Sequence, residues 1–302
     1  MLRQLSIKGL TWIDGIDLPE KKIEEILESY DFHELDIEAA LEPNQRARID
    51  SYTDYIFITL HFPKYNQLQK TYNLNEFHVF VGKDFIITLR DFEGRYIDDI
   101  FEKYEKKQEV EYDLDISPGL VLYEIIQAML EKMFQVSLNI RKDIRAIEQK
   151  VFQKPTSPLV RDILIKKRNI IVLKHMFQPQ MGVLIALENH MKKLFDVEIE
   201  AYFEDLEDKM QKIVTDILIL EEQVISVEDA FKSMIDIQSN SIIKFLTIFS
   251  AFMLPLTLIT SFYGMNLDLP YKDTPQVAYI AMGLSIVVLG LVFLFFQKKR
   301  KI

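Results

Sequence analysis

Two uninterrupted apolar segments near the C-terminal end constrain this chain most. Residues 245–264 and residues 277–296 each run for 20 residues without a charged side chain. A helix of that length covers about 30 Å, the thickness of the hydrocarbon core of a bilayer. Residues 1–240 contain no comparable uncharged run. The sequence therefore predicts two transmembrane helices, at 242–264 and 277–297, joined by an external loop at 265–276.

The charges beside the second segment predict its orientation. Lys298, Lys299, Arg300 and Lys301 follow it directly. Basic residues next to a span favour the cytosolic side, so residues 298–302 are predicted to be a basic cytosolic tail. Two spans return the chain to the side from which it started. We therefore expect a multi-pass protein of the cell (inner or plasma) membrane with both termini in the cytosol.

The part before the spans shows two kinds of pattern. Residues 1–118 contain β-branched and aromatic runs at 56–60, 77–81 and 85–89, with Gly82-Lys83-Asp84 as a hairpin turn between the last two. These runs, with helix-like segments at 18–30 and 32–41, predict a cytosolic α/β domain. Residues 119–200 predict a helical hairpin, with helices at 120–153 and 158–178 and the second helix ending before Pro179.

A heptad pattern follows from residue 206. Its apolar side chains recur in steps of four and three at Leu206, Met210, Ile213, Ile217, Leu220, Val224, Val227, Phe231 and Met234. This predicts a stalk helix over 201–241 that packs against other helices, with a lone amphipathic surface helix as the alternative. No terminator precedes the first span, so one helix of about 60 residues is expected. The fold class is thus an α+β cytosolic domain with a helical bundle and a long stalk helix continuing into the first of two C-terminal transmembrane helices.

The first span has a face that carries most of its small polar side chains. On a helical wheel, an arc of about 100° holds Asn240, Ile243, Thr247, Ser250, Leu254, Thr257 and Ser261, while Thr260 lies off it. Two spans cannot enclose a pore, so a pore needs several copies of the chain. Alternatively, the hydroxyl groups pack between helices or bond to their own backbone carbonyls. The span alone leaves both interpretations open.

The end of this span carries a family signature. Phe262-Tyr263-Gly264-Met265-Asn266 closes the penultimate of two spans, with a short loop, a second span and a basic tail beyond. This resembles the CorA family of divalent cation channels, which has Gly-Met-Asn between two C-terminal membrane helices. Further matches are Tyr202-Phe203-Glu204-Asp205, residues 229–233, Asn240 with residues 244–247 and, more loosely, residues 45–48 and 55–57.

The resemblance implies a funnel-shaped homopentamer in the lipid bilayer that imports divalent cations passively, driven by the membrane potential. Mg²⁺ would be the transported ion and a candidate regulatory ion, with Co²⁺ and Ni²⁺ as further candidates. Gly264, Met265 and Asn266 would form the selectivity mouth, where Asn266 meets the metal, and Asp268 would capture cations in the loop. The implied pore-lining residues are Asn240, Ile243, Leu246, Thr247, Ser250, Leu254, Thr257 and Ser261.

The sequence departs from this family at the residues implied to sense internal Mg²⁺. Asp205 and Glu38 match carboxylates that bind regulatory metal in the family. Ala39 and Gln127 stand where two further Asp residues are expected. Because hard cations prefer anionic oxygens, fewer carboxylates predict a weaker site. We therefore hypothesise that internal Mg²⁺ closes this channel poorly or through other carboxylates. The loop also lacks the family's Met-Pro-Glu element.

Other classes of function find less support in the sequence. The formal net charge is −10, and no basic aromatic patch indicates nucleic acid. The five histidines show no catalytic or metal-ligand spacing, and an enzyme is not expected. No ATPase motif is present, so transport is expected to be passive. Two alternatives remain. One is a proton-coupled Zn²⁺ transporter of the same superfamily (ZntB-like), which Met265 disfavours because such proteins usually carry Ile there. The other is a non-conducting membrane-anchored coiled-coil protein.

Overall fold

The structure is a computed structural model that describes residues 1–43, 45–91, 94–108, 116–195, 199–265 and 274–299. The chain divides into two compact units, Met1–Ala230 and Phe231–Ile302. Each unit is described by itself below.

The first unit is built on a six-stranded sheet. Its strands are β1 (Leu2–Ile7), β2 (Leu10–Ile16), β3 (Arg48–Ser51), β4 (Tyr55–Asn66), β5 (Thr71–Gly82) and β6 (Phe85–Arg90). Their order is β1-β2-β6-β5-β4-β3, with β2 and β6 parallel and every other neighbouring pair antiparallel. The predicted strands and the predicted hairpin turn at Gly82-Lys83-Asp84 are therefore confirmed.

Helices cover both faces of this sheet. Helices α1 (Glu20–Leu27) and α2 (Glu34–Leu41) pack on the face that carries Ile13, Phe57 and Phe80. Side chains alternate between the faces of a strand, so Trp12 points to the opposite face. There Trp12 packs against Phe101 and Tyr104 of α3 (Arg95–Gln108), and the two long helices that follow also lie on this side.

Those long helices are α4 (Pro118–Gln153) and α5 (Ser157–Leu194). The expectation that the second of them ends before Pro179 is wrong, because α5 continues through Pro179. Proline removes one backbone hydrogen bond from a helix, yet tertiary contacts can outweigh that loss. Here the next residue, Gln180, is fully buried and bonds both to Met176 O and to the backbone of His61 on β4. Packing against the sheet thus accompanies continuation of the helix through the proline.

Helix α6 (Glu200–Tyr263) confirms the prediction of one helix of about 60 residues, since it has 64. Its heptad positions from Leu206 to Phe231 are at most 9 % exposed, so the pattern marks a buried face and not a lone surface helix. Three ion pairs join this part of α6 to α4 and α5: Arg141–Asp216, Lys174–Glu221 and Lys167–Glu228.

The second unit holds the end of α6 and helix α7 (Pro275–Lys299). Both are rich in large apolar side chains that this chain leaves exposed, such as Phe245 at 71 % and Ile280 at 69 %. In the described part of the chain, α5, α6 and α7 are long and apolar enough to cross a membrane. The apolar window of α5 is 44 % buried, whereas those of α6 and α7 are not buried at all. The apolar residues of α5 have partners in the first unit, and those of the other two need lipid or further copies.

Candidate functional site

The eight residues predicted to line a pore all lie on α6. They are Asn240, Ile243, Leu246, Thr247, Ser250, Leu254, Thr257 and Ser261. The helix is continuous through all of them, so the arc inferred from the sequence, which holds all but Leu246, is a real face of the helix. Each of the eight is exposed in the single chain. This face is therefore available to water, to lipid or to other copies of the chain.

The threonine hydroxyls on this face have a defined orientation. Thr247 donates to Ile243 O at 2.8 Å, and Thr257 donates to Met253 O at 2.9 Å. A hydroxyl has one donor and two acceptor lone pairs. Because the helix backbone takes the donor, each oxygen has only acceptor capacity left for whatever lies beside the helix. The backward bonding that the sequence left open as an alternative is present, and it orients the face toward groups that donate hydrogen bonds.

Pro255 sits within the same segment of α6 without ending it. A proline has no N–H to donate to the carbonyl four residues earlier, here that of Ala251. The side of the helix around Ala251 and Pro255 therefore offers one more acceptor in place of a backbone hydrogen bond. Such a carbonyl is tolerated in a membrane only beside a partner helix or water.

At the end of α6, Gly264 lies close to a backbone carbonyl oxygen and leaves little room for a side chain. Its N–H donates to Thr260 O at 2.9 Å, and a Cβ atom at this position would lie 3.1 Å from the same oxygen. Among the described glycines only Gly9 has a positive φ, so the need for glycine at 264 is close approach to a carbonyl and not a left-handed turn. Met265 follows and is 44 % exposed. The predicted site residues Asn266 and Asp268 lie outside the described residues.

Asp205, predicted to bind regulatory metal, already has partners in its own chain. Its carboxylate accepts from Tyr123 Oη at 3.0 Å and from Lys209 Nζ at 2.5 Å. The bond from Lys209, and then that from Tyr123, lower the pKa of Asp205 despite partial burial. Burial and the carboxylate raise the pKa of Tyr123 to about 12. The sequence analysis missed Lys209, although its i+4 spacing from Asp205 is typical of a helical ion pair.

The other regulatory candidates lie elsewhere in the first unit. Glu38 is exposed on α2, whereas Ala39 beside it is 4 % exposed and belongs to the apolar core under that helix. Gln127 on α4 donates to Glu131 Oε1 at 3.0 Å. Among the described residues, no group of three or more His, Asp or Glu side chains is arranged to hold a metal ion. The single chain therefore does not gather Glu38 and Asp205 into a metal site.

The fold and the α6 face together define a class of protein. A large α/β unit with packed helices, followed by two helices whose apolar surfaces are uncovered, is the architecture of a membrane protein with a substantial soluble domain. The family comparison is specific: the description "CorA-like Mg²⁺ transporter protein" matches residues 8–300. The chain belongs to this family of transporters, which are not enzymes.

Individual proteins agree with the family assignment. The chain is 24 % identical to the cobalt/magnesium transport protein CorA of Thermotoga maritima, over 96 % of the chain and 83 % of that protein. It is 24 % identical to the putative metal ion transporter YfjQ of Bacillus subtilis, over 95 % of the chain and 88 % of that protein. The complete CorA magnesium transporter structure from Methanocaldococcus jannaschii is similar in fold, with a TM-score of 0.80 at 20 % identity, covering 98 % of this chain and 93 % of that one.

Proposed function

We propose that this chain assembles as a homopentamer in the cell membrane, with both termini in the cytosol, and conducts Mg²⁺ inward without energy coupling. Co²⁺ and Ni²⁺ are further substrates of the same pore. A divalent ion that moves inward gains about 4.6 kcal/mol per 100 mV of membrane potential, which is sufficient drive for uptake. The names of the relatives in Thermotoga maritima and Methanocaldococcus jannaschii support the choice of Mg²⁺.

The observation that carries the proposal is the polar arc on α6. Mg²⁺ releases its waters reluctantly, so a pore that conducts it is best lined by groups that bind those waters. Water bound to a cation presents its hydrogens outward. Hydroxyl oxygens whose donors are taken by the helix, as at Thr247 and Thr257, can only accept such hydrogens. The arc therefore favours a hydrated cation over an anion.

The remaining predicted residues take roles along this path. Asn240 forms a polar ring at the inner end, and Ile243, Leu246 and Leu254 form apolar constrictions that gate by dewetting. Ser250 and Ser261 add hydroxyl rings to those of the threonines. Gly264 and Met265 shape the mouth, where the Asn266 amide contacts the hydrated ion, and Asp268 attracts cations to it. A neutral ring permits both entry and release of a divalent ion.

Glu38 and Asp205 are proposed to be what remains of the cytosolic regulatory metal site, shared between subunits. With Asp205 paired to Lys209 and with Ala39 and Gln127 in place of carboxylates, Mg²⁺ binds there weakly. The channel then stays open at internal Mg²⁺ concentrations that would close a member with four carboxylates. This part of the proposal concerns regulation and does not affect conduction.

Uptake by proteoliposomes tests the proposal. Purified protein, shown by native mass spectrometry to be pentameric, is expected to take up Mg²⁺ in proportion to an imposed potential and regardless of a proton gradient. Asn266→Ala is expected to reduce uptake severalfold, whereas Asn189→Ala on the exposed surface of α5 leaves it unchanged. Uptake that requires a proton gradient and prefers Zn²⁺ would show the ZntB-like alternative. Pentameric protein without any uptake would show a non-conducting anchor.

A further inference from the structure

The end of the hairpin formed by α4 and α5 differs in charge from the rest of the chain. Residues 141–168 carry nine Lys and Arg against three Asp and Glu. The chain as a whole has a formal net charge of −10, and residues 196–236 carry thirteen acidic side chains against three Lys. A local reversal of this size in an acidic protein indicates an anionic partner. The proposed conduction path makes no use of it.

Much of this positive charge is available to a partner. Arg141, Lys166 and Lys167 form ion pairs with Asp216, Asp143 and Glu228. Five further basic side chains form no ion pair with any residue that the structure describes: Lys142, Arg145, Lys150, Lys154 and Arg161. All five are exposed. These five positive charges are therefore not neutralised by acidic side chains in the part of the chain that the structure describes.

Large apolar side chains lie among these charges and are also uncovered. Phe152 is 57 % exposed, Leu164 51 % and Val160 37 %. Val160 and Leu164 lie with Arg161 and Arg168 around a shallow depression of about 390 Å³ on the first turns of α5. A surface that alternates basic and exposed apolar side chains is typical of proteins that bind at the interface of a membrane.

The position of this surface agrees with such a role. In the first unit α5 runs antiparallel to α6, since Lys174 pairs with Glu221 and Lys167 with Glu228. The beginning of α5 therefore lies toward the part of α6 that ends this unit, at Ala230. The hairpin end therefore lies at the end of the first unit at which α6 leaves that unit. Under the proposed orientation, on which this step rests, that is the side of the cytosolic leaflet.

We propose that the basic hairpin end, residues 150–161, binds anionic lipid headgroups of the cytosolic leaflet. Lys150, Lys154 and Arg161 pair with the headgroup phosphates, and Phe152 inserts at the headgroup level. The acidic segment at 196–236 of another copy also complements the charge. That acidic segment would not provide an apolar contact for the exposed Phe152. A lipid surface provides both anionic headgroups for the basic residues and an apolar environment for Phe152. Contact with lipid would steady the hairpin against which α6 packs.

The absence of cysteine from the sequence makes a direct test simple. Gln153→Cys, labelled with a fluorophore, is reconstituted as the full chain in phosphatidylcholine vesicles with or without phosphatidylglycerol. A spin label on the lipid headgroups quenches fluorophores at the membrane surface. Quenching is expected to be stronger in the anionic vesicles. It should decline as salt shortens the Debye length from about 10 Å at 0.1 M to about 3 Å at 1 M.

Charge reversal gives the matched comparison. The triple variant K150E/K154E/R161E is expected to shift the equilibrium away from the bilayer by at least about fivefold per residue, since each basic residue near an anionic surface contributes about that factor. The control K21E/K83E/K193E changes the net charge equally, at exposed lysines elsewhere in the first unit, and is expected to leave quenching unchanged.

Three results would overturn the proposal. One is equal quenching in neutral and anionic vesicles. Another is an equal loss of quenching in both triple variants. The third is a loss of oligomers in native mass spectrometry for the hairpin triple alone with quenching unchanged, which would place the hairpin end against another copy. Trp12 is fully buried, and its fluorescence reports whether each variant is folded. None of these readings depends on ion conduction, so failure here is distinct from failure of the proposed channel.

Discussion

The orientation of a single hydroxyl group is expected to affect ion uptake at Thr257. Its donor is held by Met253 O, so its oxygen is expected to face the pore as an acceptor only. Thr257→Val keeps the shape of the side chain and removes the acceptor. We predict that this variant reduces Mg²⁺ uptake severalfold without changing the pentamer, because the waters of the ion lose a partner for which an apolar surface cannot substitute.

Thr260 supplies the control for this prediction. It makes the same type of bond, to Leu256 O at 3.0 Å, but lies off the polar arc. Thr260→Val is thus the same chemical change at a neighbouring position, about 60° around the helix and just outside the arc. Uptake is expected to be near normal in this variant. Equal uptake in the two variants, whether reduced or normal, would show that the arc does not line the pore.

Ala39 carries a prediction about stability. It is buried among Leu27, Phe32 and Phe57, so a carboxylate introduced there meets an apolar core without a hydrogen-bond partner. We predict that Ala39→Asp destabilises the first unit by on the order of 3 kcal/mol and does not create Mg²⁺ sensing. Thermal unfolding, followed through the fluorescence of Trp12, measures the change.

The neighbouring exposed residue is the comparison for that experiment. Glu38→Asp shortens an exposed side chain and is expected to leave the melting temperature within about a degree, since surface substitutions usually change stability by less than about 0.5 kcal/mol. If Ala39→Asp melted like the unmodified protein and made uptake sensitive to internal Mg²⁺, position 39 would face a metal site in the assembly and not the core.

At the scale of secondary-structure elements, Gln180 joins α5 to the sheet. Strand β3 pairs with β4 only as far as Thr59, so no strand among the described residues pairs with this edge of β4 at His61. The Gln180 amide accepts from His61 N at 2.9 Å and donates to His61 O at 3.0 Å. One side chain thus replaces the peptide group of a missing strand.

Removing that amide is predicted to weaken the first unit strongly. Gln180→Leu leaves a buried N–H and a buried C=O of His61 without partners, each of which costs about 1–3 kcal/mol. We predict a loss of roughly 3 kcal/mol, visible as a lower melting temperature by Trp12 fluorescence. Gln178→Leu makes the same substitution at an exposed position two residues away and is expected to be near neutral. Similar melting of the two variants would refute the bridging role.

The same region shows what local sequence patterns can and cannot predict. Strands β4, β5 and β6, the hairpin at Gly82-Lys83-Asp84 and the long helix α6 follow from local residue type and periodicity, whereas β1, β2 and β3 were not predicted. Continuation of α5 past Pro179 could not be predicted, because the compensating contact is with His61, more than a hundred residues earlier. The bond from Lys209 to Asp205, by contrast, is a local feature, because the i+4 spacing alone predicts such an ion pair.

At the scale of the whole molecule, conduction and its regulation draw on different parts of the chain. The predicted conduction path lies on α6 and needs several copies of it. The predicted sensing residues lie in the first unit, where Asp205 pairs with Lys209, Glu38 is exposed, and Ala39 and Gln127 stand at the other two positions. A pore can therefore be retained while its closure by internal Mg²⁺ is weakened.

The final prediction concerns this separation. Vesicles preloaded with millimolar Mg²⁺ are expected to show Co²⁺ uptake close to that of Mg²⁺-free vesicles, because Asp205 is neutralised by Lys209 and the site lacks two carboxylates. Lys209→Met combined with Gln127→Asp frees one carboxylate and adds another, so this variant should close at lower internal Mg²⁺. Lys212→Met, which removes a nearby lysine that contacts Phe134, is the control and should behave as the unmodified protein. Strong closure of the unmodified channel by sub-millimolar Mg²⁺, abolished by removing the carboxylates of Glu38 and Asp205, would instead show an intact sensor.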